Sequence, residues 1–384
     1  MSQAGILHRA TRKMGMAWPS QEQGRILQAV FAPPGQALGA FAAWRNKLEI
    51  AQPFDHEVMR LLPLLYLRLQ SLGVEDPLMG RLKGVYRRAW SDTHQLFYGT
   101  APALAAIRAA GIKTLLLKGA PMVLSHYRNF GARPMADLDI AVPFADAGQA
   151  FRVLEQAGWR AAAPLTRDAL AFRHAVSFRG PHGHEVDLHW HILFESGCAA
   201  ADTPFWETAQ PLIFRDIPTH GLTPALNLLH TLAHGMRPNA ETPIRWIADA
   251  LTILRDARAV IDWPSLGQTA RRLGLAHRVR LALDYLQDCH GEAVPPAGDE
   301  ALRRAPRCLA ERLELAVMIR HRWPRPAIID RSLLISAEFC HLARHQAPWA
   351  ALRMLPEFAR YRLGFAAWPN PVRRARRRLQ RGFG

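Results

Sequence analysis

The apolar positions of this chain repeat at two different periods, and the change from one to the other marks its organisation. From about 36 to 110 they recur at helical spacing. In HEVMRLLPLLYLRLQSLG, Val58, Leu61, Leu62 and Leu65 fall on one face; Pro63 has no amide hydrogen and crowds the preceding turn, which predicts a kink or division there. APALAAIRAAG, 101 to 111, reads as a helix closed by Gly111. The period then shortens to two. IKTLLL, 112 to 117, is a short buried strand that Lys118-Gly119-Ala120-Pro121 ends, and Pro121 suits the first position of a following helix. DLDIAV, 137 to 142, alternates as a strand, and DAGQAFRVLEQAG, 146 to 158, is a helix with Asp146 as N-cap and Gly158 as stop. HAVSFRGPHGHEVDLHW reads as a hairpin, with strands near 174 to 178 and 185 to 190 around Gly180-Pro181-His182-Gly183.

Beyond about 216 the pattern is helical again. TPALNLLHTLAHG, 223 to 235, carries His230 and His234 one turn apart. In TPIRWIADALTIL, Thr242 is the expected N-cap, Pro243 the first helical residue, and Ile244, Ile247, Leu251 and Leu254 the buried stripe. Arg245 and Asp249, at i and i+4, read as a helix-surface ion pair. A loop, GEAVPPAGDE, follows Gly291, and 301 to 365 read as further helices. The expected division is a helical region over 1–95, an α/β core with a mixed sheet over 96–215, a helical region over 216–365 and a basic tail over 366–384. Residues 1 to 35, ending in Pro33-Pro34-Gly35, read as a poorly ordered lead-in.

Composition narrows the classes. With 384 residues, 49% hydrophobic and 21% charged, the chain is long enough for two or three globular units. A formal net charge of +17 favours anionic partners such as nucleotides, although charge spread over a surface is not a site. The four cysteines, Cys198, Cys289, Cys308 and Cys340, form no CxxC pair, so neither a zinc ribbon nor a disulfide framework is indicated. They fit a reducing cytoplasm. No apolar run approaches the roughly 20 residues of a membrane span.

The chemistry concentrates between 118 and 190. A period of two puts Asp137 and Asp139 on one face of their strand. Two adjacent carboxylates repel, so a site that keeps both ionised usually holds a cation, and Mg²⁺ takes oxygen ligands while leaving positions for phosphates. In EVDLHW the alternation sets Glu185, Asp187 and His189 opposite Val186, Leu188 and Trp190. If the two strands are neighbours, Asp187 joins the pair, and three carboxylates around two ions about 3.5–4 Å apart make the clamp used for in-line displacement at phosphorus. Gly119, between a strand end and a helix start, is a natural phosphate position; Lys118 and Arg133 would add positive charge for a triphosphate.

These residues resemble a known family. The order strand, LLLKGA, Arg-Pro, DLDIAV, helix, EVDLHW is similar to the DNA polymerase β-like nucleotidyltransferase superfamily, and more narrowly to its bacterial uncharacterised nucleotidyltransferases, with a KG turn, an R…DxD block and a VDLHW strand. The resemblance covers about 95 to 290. It implies a polymerase β-like core, Asp137, Asp139 and Asp187 as metal carboxylates, and Gly119 as the turn glycine. It also implies two Mg²⁺ ions, with Mn²⁺ as a substitute, ATP or another nucleoside triphosphate as donor, and a peptide natural product, other small molecule or protein as acceptor. His189, His234 and Asp249 are candidates for contact with the acceptor or for support of the metal residues. The chain departs from the wider superfamily in having Lys118-Gly119-Ala120 where Gly-Ser is usual, so the serine contact to phosphate is missing.

Other chemistries fit less well. DLHWH places Asp187, His189 and His191 on one face, but no fourth ligand for zinc is evident by spacing. His230-Thr-Leu-Ala-His234 lacks the glutamate of HExxH, and no GxxxxGK[ST] occurs. Trp190 reads as core. A nucleotidyltransferase-like protein without activity, docking nucleic acid or a protein through its basic surface, is the alternative from another class, and the presence of all three carboxylates and the KG turn weighs against it.

Overall fold

The computed structural model describes residues 18–48, 54, 56–238, 244–256, 258–320 and 328–363. Its period-two segments form a five-stranded mixed sheet: β1 (Leu115–Leu117), β2 (Asp137–Ala141), β3 (Arg160–Ala161), β4 (Ala175–Arg179) and β5 (Glu185–His189), in the spatial order β1-β2-β5-β4-β3. β1 runs antiparallel to β2, β2 parallel to β5, and β5 and β3 both antiparallel to β4. The expected hairpin is β4–β5, with Gly183 at φ +83° in its turn, a backbone angle that costs glycine little.

Side-chain alternation divides this sheet between two cores. Leu116, Leu138, Ile140, Val176, Phe178, Val186 and Leu188 pack on one face against Ala103, Leu104 and Ile107 of one helix and Ala150, Phe151 and Leu154 of another. Those helices are α5 (Met79–Ala109) and α7 (Ala147–Gln156). The other face carries Leu115, Leu117 and Ala141 into the larger core. There the helices before the sheet, α1 (Gln21–Phe31), α2 (Pro34–Arg45), α3 (His56–Met59) and α4 (Leu62–Ser71), meet the helices after it, α10 (Pro224–Gly235), α11 (Arg245–Arg255), α12 (Trp263–Leu273) and α13 (Ala276–His290).

Several expectations change. The lead-in read over 1–35 contains α1, which Ser20 and Gln23 start with a reciprocal capping box. Pro63 does divide its segment, sitting in the first turn of α4. The helix expected over 101–111 is the end of the 31-residue α5, so the division expected at 95/96 falls inside a continuous helix. Asp146 occupies the N-cap position of α7 without a capping hydrogen bond. Part of the loop expected at GEAVPPAGDE is helical, as Pro296 starts α14 (Pro296–Arg303).

A second hairpin, β6 (Gln210–Phe214) with β7 (Ile217–Gly221), was not expected. Pro211 and Pro218 cannot donate in a ladder, which hides these strands from a propensity reading but is tolerated in a two-stranded ribbon. Thr219 ties it to the end of β1 through a 2.7 Å hydroxyl contact with Thr114. Thr242 and Pro243, expected to start α11, and the basic tail lie outside the described residues.

Candidate active site

The parallel pairing of β2 with β5 sets Asp139 directly across from Asp187, and Asp137 across from Glu185. Oxygens of Asp139 and Asp187 and a ring nitrogen of His189 all lie within 4.8 Å of one another. Asp139 is 2% and His189 1% exposed. One Asp139 oxygen, Oδ1, accepts a hydrogen bond from Lys118 Nζ at 2.5 Å and lies 3.0 Å from His189 Nε2. Asp137 stands on the same face two residues earlier, half-buried, and faces a cavity.

Charge is unevenly balanced in this group. Burial pushes the Asp137 carboxyl above its usual range and Asp139 pushes it further, with Lys118 opposing. For Asp139, burial acts in the same direction but is outweighed by Lys118 and His189, so its carboxyl is held well below the usual range. Burial would lower Lys118; Asp139 first, then Asp137 and Asp187, more than compensate and keep its ammonium charged.

The turn that delivers Lys118 is strained. Its φ of +51° and ψ of −110° are unusual for a residue with a Cβ. The next residue packs tightly: a Cβ on Gly119 would come within 2.6 Å of Met135 Cε and 2.9 Å of an Arg133 guanidinium nitrogen. The helical segment α6 starts at Gly119 (Gly119–Pro121), so Pro121 is its third residue and not its first. It continues as a π-helical turn, Met122–Tyr127, that ends at Arg128 with φ +49°. Turns of this wide type recur at functional sites.

A cavity of about 610 Å³ opens over this turn, between the sheet, α5, α10 and α11. Arg133 lines it but is already engaged: it is 5% exposed and grips Asp249 of α11 with Nε–Oδ1 at 2.9 Å and a second nitrogen on Oδ2 at 2.8 Å. Tyr127 donates to the same carboxylate at 2.9 Å. Asp249 is therefore a buried anchor for Arg133, and the surface pair expected between Arg245 and Asp249 is replaced by this one. Arg245 instead donates to the Pro134 carbonyl at 2.6 Å, and burial, with Arg133 nearby, lowers its pKa to about 10. His230 and His234 close the cavity from α10, rings stacked at 6.0 Å. Burial, with Lys118 adding to it, lowers His230 to about 3 and His234 well below its usual value. His234 is reached by solvent through the cavity although protein surrounds it closely.

A profile of the uncharacterised nucleotidyltransferase family matches residues 56–291, more than half of the chain. The chain belongs to that family. The match starts well ahead of residue 95, so it takes in α3, α4 and all of α5. No curated protein matches the sequence. Among solved structures, the crystal structure of an antigenic nucleotidyltransferase-like protein from Paracoccidioides brasiliensis aligns at 15% identity with a TM-score of 0.34, over 55% of this chain and 94% of its own. That likeness is too slight to place any residue.

In this family member the structure brings together Asp139, Asp187 and His189, sets Asp137, Lys118 and Gly119 with Asp139 along the adjoining cavity, and places His234, Arg133 and Asp249 in the wall of that cavity. Arg245, expected only as a surface ion-pair partner, and His230, expected only as half of a histidine pair, also line the cavity. His191, the remaining zinc candidate, turns away to Asp202 at 2.7 Å, and Trp190 is core at 1% exposure. A second acidic cluster, Glu195, Glu314 and His341, has donor atoms equally close together, but Arg278 bonds both carboxylates, at 2.5 and 2.6 Å, so a protein cation already fills it.

Proposed function

We propose that this chain is a divalent-metal-dependent nucleotidyltransferase that moves a nucleoside monophosphate from a triphosphate, ATP among them, to an oxygen of a small-molecule or peptide acceptor. The observation that carries the reading is the register: Asp139 and Asp187 face each other across parallel strands, and Asp139, with Asp137 and the Lys118-Gly119 turn, lines a cavity large enough for a nucleotide. Carboxylate oxygens are the donor set of Mg²⁺ or Mn²⁺, and a cation would offset both the burial that raises Asp137 and the negative charge of Asp139 that raises it further. Asp139 and Asp187 would hold it, with Asp137 beside them. When bound, it supplies charge neutralisation and Lewis-acid polarisation at the phosphates.

The protein's own groups do the rest. The Lys118-Gly119 turn lines the cavity and opens a helical segment there, so a phosphate would lie beside its first amides with the positive charge of Lys118 next to it. Arg133 serves this site indirectly, by fixing the wall through Asp249. The acceptor hydroxyl attacks the α-phosphorus as the bond from that phosphorus to the bridging oxygen breaks; pyrophosphate leaves with that oxygen, and the half-buried Asp187 carboxylate is placed to take the hydroxyl proton. His230 and His234, kept neutral, are placed to hydrogen-bond the acceptor without competing for the metal position's charge.

The test is transfer of α-labelled ATP in the presence of Mg²⁺ and an extract containing acceptors. Asp137→Asn with Asp139→Asn is expected to abolish labelling, by at least about 10³-fold given the size of electrostatic contributions to such reactions; it also removes the partner of Lys118 and lowers the melting temperature, so circular dichroism at the assay temperature checks that the variant is folded. Full labelling by the double variant would refute the mechanism. A protein that only docks partners through basic surface would show no labelling before or after, and weaker partner binding once the Arg373 to Arg381 charges are reversed.

A further inference from the structure

One of the two oxygens of Asp139 is already taken. Oδ1 accepts from Lys118 Nζ and meets His189 Nε2, so Oδ2 is the oxygen left for a cation. Two ions about 3.5–4 Å apart need a carboxylate that offers one oxygen to each. Asp137 does not make up the difference. Its strand neighbour is Glu185, and among the described residues it belongs to no set of three donors close enough to surround an ion. The second set of donors that a two-ion clamp needs is therefore incomplete.

A cation is nevertheless present on Asp139 Oδ1, the oxygen a second ion would need. The backbone of Lys118 turns through positive φ, where glycine would be the less strained residue, and a compact ammonium with three donors is what reaches the Asp139 carboxylate. We infer that Lys118 Nζ is the second cation of this site, standing in place of one divalent ion, so that the chain works with a single metal ion held by Asp139 Oδ2 and Asp187. The inference rests on the nucleotidyltransferase reading and deepens it. It assigns Lys118 a charge-balancing place between carboxylate and phosphate, which a lysine fills without open coordination sites. It also accounts for the missing serine at the turn: a phosphate anchored by an ammonium on the preceding residue needs that hydroxyl less.

Counting ions tests this without measuring turnover. The full chain, saturated with an ATP analogue whose α–β bridge is a methylene, is titrated with Mn²⁺ and followed by electron paramagnetic resonance. The wild type is expected to bind one Mn²⁺ with no Mn–Mn dipolar broadening, and Lys118→Arg to stay at one. Lys118→Met, similar in length but uncharged, is expected to bind two and to show the broadening. Two coupled ions in the wild type, or one in a folded Lys118→Met, would overturn the inference and leave the nucleotidyltransferase reading standing. No bound Mn²⁺ and no bound analogue would overturn that reading, and this inference with it. If Lys118→Met does not fold, the wild-type and Lys118→Arg counts still decide.

Discussion

At Gly119 the absence of a side chain matters for space. The backbone there is not in the left-handed region; what excludes a Cβ is the Met135 methyl on one side and the Arg133 guanidinium, itself locked on Asp249, on the other. Met135 can move and Arg133 cannot move without breaking a buried ion pair. Gly119→Val is therefore expected to cost about 1–3 kcal/mol of stability as an overpacked site and to weaken triphosphate binding at least about tenfold, read by isothermal titration with Mg²⁺; unchanged affinity in a folded variant would move the phosphate site elsewhere. The carboxylates were legible in the sequence because period two fixes which face each occupies. The partner of Asp249 was not. Spacing of i and i+4 suggests Arg245 on any exposed helix, but α11 is buried nearly all round, and only the flanking Ala248 and Ala250, small enough to admit another segment closely, hint that Asp249 faces protein.

Among the elements, the clearest buried electrostatic joint lies away from the cavity. Arg278 of α13 bonds Glu195, in the 3-10 turn Phe194–Ser196, and Glu314 of α15 (Leu309–Arg320); His341 of α16 (Ile328–Ala343) meets Glu314 at 3.0 Å. Burial pushes both carboxyls up, and Arg278 outweighs it and holds both below the usual carboxylate range. Their folded values lie below their unfolded ones, so the pair contributes stability above the ordinary carboxylate range and loses it as pH falls through the folded values. Arg278→Met strands two buried negative charges and is expected to cost about 3–5 kcal/mol at pH 7. The loss should shrink as pH is lowered from 7 toward 4, because the carboxyls, with burial now opposed only by His341 and Arg237, take up protons and shed their charge at higher pH than in the wild type. Thermal melts of both proteins across that range check it; a loss independent of pH would show that packing, and not charge, is what Arg278 supplies. Nothing local in the sequence announces this joint, since its members are separated by 83 and 36 residues from Arg278. The β6–β7 hairpin was hidden for a different reason, its two prolines.

On the scale of the whole molecule, the order of segments was readable and their independence was not. Changes of period located the sheet and its helical flanks, yet Leu61, Leu62, Leu65 and Leu69 from before the sheet share one core with Leu226, Leu229, Ile247 and Leu251 from after it. Periodicity shows that a helix has a buried face; it does not show which distant helix covers it. The candidate site sits against this shared core, with α3 and α5 on one side of the cavity and α10 and α11 on the other, so the N-terminal helices are expected to be part of the folding unit that binds nucleotide. A chain of residues 96–384 would begin inside α5 and expose the apolar faces of α10 and α11. It is expected to be aggregated or to lack a cooperative transition, whereas the full chain should melt through a transition that includes both helical regions. Saturating nucleotide with Mg²⁺, at about 100 times its dissociation constant, should stabilise that transition by about 2.7 kcal/mol, and calorimetry should show the whole transition moving upward together. If 96–384 folds alone, melts where the full chain does and binds nucleotide equally well, then the shared core is an incidental contact and the N-terminal helices take no part in forming the site.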